Sequence, residues 1–232
     1  MSARGVFVTG TDTGVGKTLI ACALTRALRE AGHRVTVMKP VASGSLPTAE
    51  GLRNADALAL MEAAALPAQL YAEVNPYCFE PPISPHIAAE ESKIAVDIGL
   101  IKRKLDRLRA GAEWIVVEGA GGWLAPINAH QTMSDLARAL HLPALLVVGL
   151  KLGCLNHAQL TWRAVRSDGV PLAGWVASAI DPHMSRVAGN LETLERMLGE
   201  PPLAVVPHLQ NADDPHALAP LSRELAARVI SF

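Results

Sequence analysis

Apolar and polar residues follow one another along the chain in blocks that predict strands and helices in turn. Short, nearly continuous apolar runs are typical of strands that are buried on both faces of a parallel sheet. The predicted strands are Val6–Thr9, Arg34–Met38, Trp114–Glu118, Ala144–Gly149, Gly174–Ala177 and Leu203–Val206. Stretches with apolar residues at helical spacing predict the helices Thr18–Ala31, Asn54–Ala65, Ile94–Ala110, Thr132–Leu140, Asn156–Asp168, Arg186–Leu198 and His216–Val229.

This alternation predicts a doubly wound α/β fold, with a mainly parallel sheet and helices on both faces. The chain has 232 residues, half of them hydrophobic, which is enough for one large core. We find no linker, internal repeat or low-complexity tract, so we expect residues 1–232 to form a single domain. The proline-rich region 42–85 is predicted to be irregular, as functional loops often are.

Composition limits which binding partners and which cellular compartment we expect for this protein. A net charge of −1 gives no overall field that favours nucleic acid or an anionic membrane. The three cysteines are widely spaced and odd in number, which predicts neither a metal site nor a disulfide framework. No signal-like segment or apolar run of about 20 residues is present, so we expect a cytoplasmic protein.

The segment from Gly10 to Thr18 carries the most specific motif. Gly16-Lys17-Thr18 follows the first predicted strand and opens the first predicted helix, an order that places backbone N–H groups around phosphate oxygens. In this pattern Lys17 reaches the β- and γ-phosphates, and the Thr18 hydroxyl binds Mg²⁺. The usual first glycine is replaced by Thr11, with Gly10 one residue earlier. We prefer a nucleoside triphosphate site to a simple glycine-rich turn because strand, loop and helix occur in the required order. With this loop, the predicted α/β fold is of the P-loop NTPase type.

Two further strands end in residues with candidate chemistry, and the carboxyl ends of parallel strands meet at one edge of a sheet. Glu118 is suited to anchor a nucleotide-bound Mg²⁺, although a glutamate that caps a neighbouring helix is the alternative. Lys39 is either a surface lysine or a second cation beside Lys17. Two such lysines exceed what a triphosphate needs, which suggests stabilisation of a further developing anion.

Other residues have no fixed role from their pattern alone. A first-turn acid favoured by the helix dipole is the simplest interpretation of Asp56. The segment from Gly153 to Asn156 opens a helix and suits an anion such as a carboxylate. We assign no catalytic role to His86 or His157, which show no paired group.

Taken together, these motifs resemble the dethiobiotin synthetase family over most of residues 5–180. The resemblance is carried by the phosphate loop and by Lys39–Gly44, Gly51–Leu58, Asn75–Tyr77, Ser84–His86, Val117–Gly122, Leu152–His157 and Ala173–Ala177. The family's phosphate loop has the same longer glycine spacing. The resemblance implies that one amine of 7,8-diaminononanoate captures CO₂ as a carbamate, which attacks the γ-phosphate of ATP. The second amine then closes a ureido ring on the mixed anhydride, giving dethiobiotin, ADP and phosphate.

The resemblance also implies residue roles. Catalytic roles fall to Lys39, Lys17 and Thr13. Nucleotide-binding roles fall to Gly14, Val15, Gly16, Lys17, Thr18, Leu19, Asp56, Glu118, Gly119, Ala120, Gly121, Ser178, Pro207, His208 and Leu209. Magnesium ligands are Thr18, Asp56 and Glu118, and substrate contacts are Lys39, Ser43, Gly153, Cys154, Leu155 and Asn156. The last four would come from the second subunit of a homodimer.

The chain departs from the family pattern at two places. Gly14 stands where a well-known member has glutamate, and Ser178-Ala179 stands where that member has an Asn-Asp pair at the adenine. Serine is shorter and alanine has no polar group. We therefore expect CTP or GTP to be used within an order of magnitude of ATP.

Three alternative functions fit these residues less well. A partition- or septum-positioning ATPase typically has a second lysine early in the phosphate loop, and Gly10–Thr13 has none. A cobyrinic-acid-type amide synthase needs a further glutaminase domain, for which the chain is too short. A regulatory remnant without catalysis would not need Lys17, Lys39 and Glu118 together.

Overall fold

The computed structural model of the protein describes residues 3–209 and 218–231. The strands are β1 Arg4–Gly10, β2 Val35–Met38, β3 Val41–Ala42, β4 Leu46–Thr48, β5 Gly51–Arg53, β6 Tyr77–Cys78, β7 Trp114–Glu118, β8 Ala144–Gly149, β9 Leu172–Ser178 and β10 Ala204–Val206. The helices are α1 Lys17–Glu30, α2 Ala55–Ala64, α3 Tyr71–Val74, α4 Pro85–Glu91, α5 Ile98–Arg109, α6 Met133–Leu140, α7 Cys154–Ser167, α8 Val187–Leu198 and α9 Ala219–Ile230, with a 3₁₀ turn at Ala68–Leu70.

The central sheet has the strand order β10-β9-β8-β1-β7-β2, and all its pairings are parallel. Strand β2 lies two positions from β1, and β7 later fills the place between them. Strands β8, β9 and β10 then follow in order on the other side of β1. The strand order therefore reverses at β1, and ligands bind at such switch points beyond the carboxyl ends of the strands. The register pairs Val8 with Glu118 and Met38 with Val117, so β1, β7 and β2 end close together.

The apolar runs form strands because helices cover both faces of the sheet. On β8, Leu145 and Val147 belong to one buried cluster, whereas Leu146 and Val148 belong to another that includes Trp162 of α7. Alternate residues of a strand point to opposite faces, so each face of β8 has its own apolar layer. The predicted fold class is confirmed. That residues 1–232 form one domain stays a prediction.

Several predicted boundaries are wrong for local reasons. The helix predicted for Ile94–Ala110 is shorter, because Asp97 caps α5 by accepting a 2.7 Å hydrogen bond from the Gly99 N–H group. The helix predicted from Asn156 already begins at Cys154. The start predicted at His216 lies outside the described residues, and the described part of that helix is α9.

Region 42–85 is more regular than predicted. Strand β3 pairs with β6, and β4 and β5 form an antiparallel hairpin. Helices α2 and α3 lie between these short strands, so the prolines punctuate small elements and do not leave one long loop. Among the described helices, none is both long and apolar enough to cross a membrane.

The end of β8 presses on the phosphate loop, which gives a test of the packing. A methyl group added at Gly149 would lie 2.7 Å from Val15 Cγ1 and 2.7 Å from Ile180 Cδ1. We expect Gly149→Ala to lower the free energy of unfolding by about 1–3 kcal/mol, because the core cannot accept the extra volume without moving. Urea denaturation measures this difference.

The matched control is Gly189→Ala in α8, where an added methyl group meets no atom within 4 Å. Alanine has the higher helix propensity, so this variant should gain up to about 1 kcal/mol. Equal effects of the two substitutions would contradict the packing described for β8.

Candidate active site

The phosphate loop connects β1 to α1 in a conformation fixed by close contacts. Gly16 adopts a φ of 92° immediately before the helix, and a methyl group there would lie 3.0 Å from the Ser178 hydroxyl. The Val15 side chain is fully buried, so this residue has only its backbone to offer a ligand. The Lys17 ammonium donates a 2.9 Å hydrogen bond to the Asp12 carbonyl oxygen and so crosses the loop. A loop of this kind binds phosphate with its backbone N–H groups and one cation.

Lys39, Glu118 and Asp56 form a cluster beside this loop. The Lys39 ammonium lies 2.6 Å from Glu118 Oε1 and 2.8 Å from Asp56 Oδ2. The Thr18 hydroxyl donates a 2.8 Å hydrogen bond to the same Glu118 oxygen. Lys39 is 3% exposed and Glu118 is 0% exposed, whereas 43% of the Asp56 side-chain surface remains accessible. The cluster is therefore buried on the sheet side and open on the side of Asp56.

Strand order explains how these side chains meet. Strand β7 lies between β1 and β2, so Lys17, at the start of α1 after β1, and Lys39, after β2, follow strands that are not neighbours. The Lys39 side chain leaves the end of β2 and reaches Glu118 at the end of β7, instead of facing solvent as a surface lysine would. Asp56 lies in the first turn of α2, as the simplest interpretation held, but its carboxylate is also paired with Lys39.

Burial and charge shift the proton equilibria of this cluster in different directions. Burial alone lowers the pKa of Lys39, but attraction to Glu118 and Asp56 outweighs it and leaves that pKa above its ordinary value. Burial likewise raises the pKa of Asp56, yet Lys39 outweighs burial and the pKa of this carboxyl is lowered. Burial, together with the charge of Asp56, raises the pKa of Glu118 against the opposing effect of Lys39.

Lys17 is perturbed in the opposite sense to Lys39. Burial, with a smaller contribution from the positive charge of Lys39, lowers the pKa of Lys17 to about 8. This lysine has a carbonyl oxygen as its hydrogen-bond partner and no carboxylate within ion-pair distance among the described residues. Its ammonium is therefore the cation of the cluster whose charge is least compensated, and an anionic ligand would stabilise it.

The donor set fits a magnesium ion that is bound together with phosphate. Glu118 Oε2 is buried and has no hydrogen-bond partner among the described residues. Thr18, Asp56 and Glu118 all line one cavity. No group of three or more His, Cys, Asp or Glu side chains suited to a metal occurs in the described part of the chain. Magnesium commonly takes one or two carboxylates and completes its shell with water and substrate phosphates.

A cavity of about 1060 Å³ opens over this cluster and brings together many of the predicted residues. The predicted site residues that line it are Thr13, Gly14, Gly16, Lys17, Thr18, Leu19, Lys39, Ser43, Asp56, Glu118, Ala120 and Gly121. The size suits a nucleotide together with a small substrate. The predicted convergence of strand ends is therefore found in the structure.

The cavity also contains residues to which sequence reasoning gave no role. His86 lines it at the start of α4, and His86 Nδ1 is buried without a hydrogen-bond partner among the described residues. The Ser84-Pro85-His86 motif was the available signal, since proline is common in the first turn of a helix.

Lys151, which does not line the cavity, is another residue to which sequence reasoning gave no role. Its ammonium lies 2.8 Å from Asp12 Oδ2, and it ties the phosphate loop to the chain after β8.

The remaining predicted residues lie outside the lining of this cavity. Ser178 is buried at the end of β9, and His208 Nδ1 lies 3.1 Å from the Ala179 carbonyl oxygen near Pro207 and Leu209. The Gly119 carbonyl oxygen lies 3.4 Å from the Lys39 ammonium. The residues Gly153, Cys154, Leu155 and Asn156 form the start of α7. Their roles in binding stay predictions.

Comparisons with known proteins show the family to which this chain belongs. The family model described as an AAA domain matches residues 4–216. A Pseudomonas aeruginosa protein named ATP-dependent dethiobiotin synthetase BioD is 49% identical over 207 residues, covering 89% of this chain and 90% of its own length. Proteins of the same name from Salmonella typhi (there BioD 1) and Xylella fastidiosa are 48% and 45% identical, covering 88% and 94% of this chain and 89% and 96% of their own lengths.

Solved structures show the same fold at much lower identity. The MinC:MinD cell division complex of Aquifex aeolicus superposes with a TM-score of 0.65 at 15% identity, covering 99% of this chain and 97% of that one. A ParA family ATPase from Chlorobium tepidum gives a TM-score of 0.57 at 18% identity, covering 99% of this chain and 100% of that one. These two similarities concern the fold alone. The identity and coverage of the named relatives show that this chain belongs to the dethiobiotin synthetase family.

Proposed function

We propose that this protein is an ATP-dependent cyclo-ligase that makes dethiobiotin from 7,8-diaminononanoate, CO₂ and ATP. The observation that carries the proposal is the buried Lys39 ammonium, held between Glu118 and Asp56 in the cavity that also contains Lys17. A phosphate loop alone would suit any nucleotide-binding protein. A second buried cation beside it suits a reaction in which another anion forms next to the transferred phosphoryl group.

In the proposed reaction, an amine of the substrate first adds to CO₂ and loses a proton, which gives a carbamate. The carbamate oxygen attacks the γ-phosphorus of ATP and ADP leaves, so that a carbamic–phosphoric anhydride forms. The second amine attacks the carbonyl carbon and loses a proton, the C–O bond to phosphate breaks, and a ureido ring closes as inorganic phosphate leaves. Lys17 would bind the β- and γ-phosphates, Lys39 would stabilise the carbamate, and Thr13 and Ser43 would orient the reacting groups. Phosphoryl transfer depends mainly on such positioning and charge stabilisation.

Magnesium is the proposed cofactor. Thr18, Asp56 and Glu118 would hold it, and the unpartnered Glu118 Oε2 supports this assignment. When bound, the ion supplies charge neutralisation to the phosphates of ATP. Lys39 can stay between the two carboxylates when the ion binds, because Asp56 keeps an accessible side and Glu118 keeps an oxygen without a partner among the described residues.

We further propose a homodimer in which the start of α7 binds the substrate carboxylate in the partner subunit. Leu152, directly before this segment, is 95% exposed and would be covered by the partner subunit in such a dimer. We expect neither nucleic acid nor membrane as a partner. The cytoplasm is the proposed compartment, where ATP is available and free thiols such as Cys22 and Cys78 stay reduced. Sedimentation that finds only monomers would contradict the shared site.

Dependence of phosphate release on both substrates is the direct test. We expect the protein to release phosphate from MgATP only when diaminononanoate and bicarbonate are both present, because the phosphoryl acceptor is the carbamate. Mass spectrometry should find a ureido product whose yield matches the phosphate released. The same assay with CTP and GTP should give rates within about tenfold of the rate with ATP, since one or two lost base contacts are worth about that factor.

Two outcomes of this assay would count against the proposal. Hydrolysis that ignores the diamine but rises with DNA or lipid vesicles would favour a nucleotide-switched binding protein. A preference for ATP far above tenfold would show that Ser178 and its neighbours still select the base.

Substitution of Lys39 tests its proposed role. Lys39→Gln removes the charge that stabilises the carbamate, so we expect kcat to fall by about 10²–10³-fold. Nucleotide affinity should change by less than about threefold, because Lys17 still binds the phosphates. Lys102→Gln is the control, since this exposed lysine lies in α5, which carries no proposed site residue. Unchanged turnover in a folded Lys39→Gln protein would remove Lys39 from the mechanism.

The lowered pKa of Lys17 predicts a pH dependence of nucleotide binding. The free protein loses this proton near pH 8, whereas bound phosphates favour the charged form and raise the pKa in the complex. The affinity for nucleotide should therefore not change with the protonation of Lys17 below about pH 8, where this group is charged. Above that pH it should fall by up to about tenfold per pH unit. Calorimetric titration with nucleotide from neutral to alkaline pH measures this slope.

Arginine keeps its charge throughout this range, so Lys17→Arg should flatten the curve. An identical alkaline loss in both proteins would assign the titration to another group.

A further inference from the structure

A chain of buried hydrogen bonds lies behind the cluster and starts from the backbone of Lys39. Strand β2 ends at Met38, so Lys39 lies beyond the main sheet. Its N–H group donates a 2.9 Å bond to the Val74 carbonyl oxygen, and its carbonyl oxygen accepts a 2.7 Å bond from Asn75 Nδ2. The backbone of the buried lysine is thus held on both sides by the end of α3.

The same chain continues to the helix that carries Asp56. The Tyr71 hydroxyl donates a 2.9 Å bond to Asn75 Oδ1 and accepts a 2.7 Å bond from the Asn54 N–H group. Asn54 is the residue before α2, and its side chain caps that helix by accepting from the Ala57 N–H group. One tyrosine and one asparagine therefore connect the backbone at Lys39 with the start of the helix of Asp56.

Ser43, the proposed substrate contact, belongs to the same network. Asn54 Nδ2 donates a 3.2 Å bond to the Ser43 carbonyl oxygen. Tyr71, Asn75 and Asn54 are all buried, with exposures of 6%, 3% and 5%. Buried polar groups that satisfy one another in this way have few alternative arrangements, which fixes the segments that they join.

We propose that Tyr71 and Asn75 are positioning residues, which set the distance between the Lys39 ammonium and the Asp56 carboxylate. The proposal rests on the proposed roles of Lys39 and Asp56. Neither residue of the pair lines the cavity, so they act through the backbones that they hold. Loosening this connection would let α2 move relative to Lys39 and would weaken the binding of magnesium together with nucleotide. Changes in the partners of metal ligands typically cost about 10–100-fold in metal affinity or activity.

Tyr71→Phe is the test substitution, because it removes only the hydroxyl and keeps the ring that stacks under the Arg53 guanidinium. We expect the affinity for nucleotide without Mg²⁺ to stay within about twofold of the unmodified protein. The gain in affinity on adding Mg²⁺ should shrink by about tenfold, and kcat should fall by a similar factor. Calorimetric titrations of the nucleotide with and without Mg²⁺ give the first two quantities independently of turnover.

Tyr77→Phe is a matched control within the same protein. The Tyr77 hydroxyl accepts a 2.8 Å bond from the Asp97 N–H group, at the cap of α5, a helix that carries no proposed site residue. Both substitutions remove one hydroxyl that satisfies the N–H group of a helix-capping residue. They should lower the midpoint of thermal unfolding by similar amounts, and only Tyr71→Phe should change the Mg²⁺ dependence.

An Asp56→Asn variant separates the two levels of the proposal. If Asp56→Asn loses the Mg²⁺-dependent gain and Tyr71→Phe keeps it, the positioning role is refuted while the magnesium site stands. If Asp56→Asn also keeps the gain, the assignment of Asp56 is refuted, and the positioning role is refuted with it. Equal effects of Tyr71→Phe and Tyr77→Phe on Mg²⁺ dependence would reduce Tyr71 to a general stabilising residue.

Discussion

The ion pair between Lys39 and Glu118 is the interaction on which the candidate site depends. Both groups are removed from water, and the transfer of such ions into a protein interior costs several kcal/mol each. Their mutual attraction offsets this cost only with close contact and further hydrogen bonds, which the 2.6 Å distance and the Thr18 hydroxyl provide. Removing Lys39 would leave Glu118 as an uncompensated buried charge, whereas Lys39 also has Asp56 as a partner. A pair that is costly to bury and adds little net stability is better explained by a role in chemistry than by a role in folding.

Sheet topology makes this pair possible, and much of it could be predicted. Continuous apolar runs such as Ala144–Gly149 indicate parallel strands, because only a strand covered on both faces is apolar throughout. The residues directly after those strands then meet at one edge of the sheet. That rule predicted that Lys17 and Glu118 lie close together, without any knowledge of strand order. It did not predict that Lys39 would pass from β2 to β7, since the position of β7 between β1 and β2 depends on long-range pairing.

The parts that could not be predicted share one physical feature: they depend on contacts between segments distant in sequence. Asp56 has the pattern of an ordinary first-turn acid, and only its 2.8 Å approach to Lys39 distinguishes it. Tyr71 belongs to no motif, and Asn75 belongs to the Asn75–Tyr77 segment of the resemblance, which gives it no role. Their roles depend on hydrogen bonds to distant backbone groups, which place little constraint on the partner's residue type. The start of α5 is the exception, because the capping bond within Asp97–Gly99 is local; it competes with helix propensity and moves the boundary away from Ile94.

The charges of the cluster also explain why the reaction would require its substrates together. Lys17 and Lys39 carry two positive charges, and Glu118 and Asp56 carry two negative charges when all four groups are ionised. A pocket that is formally neutral before binding tolerates burial better than one with an excess of cations. Lys39 is already paired with carboxylates, so its attraction for a second anion is reduced until other charges enter the site. Binding of a metal together with the triphosphate would engage Glu118 and Asp56 and leave more of the Lys39 charge for the carbamate. The arrangement therefore couples stabilisation of the nascent anion to the presence of the phosphoryl donor, and in its absence the ammonium remains occupied by the protein's own acids.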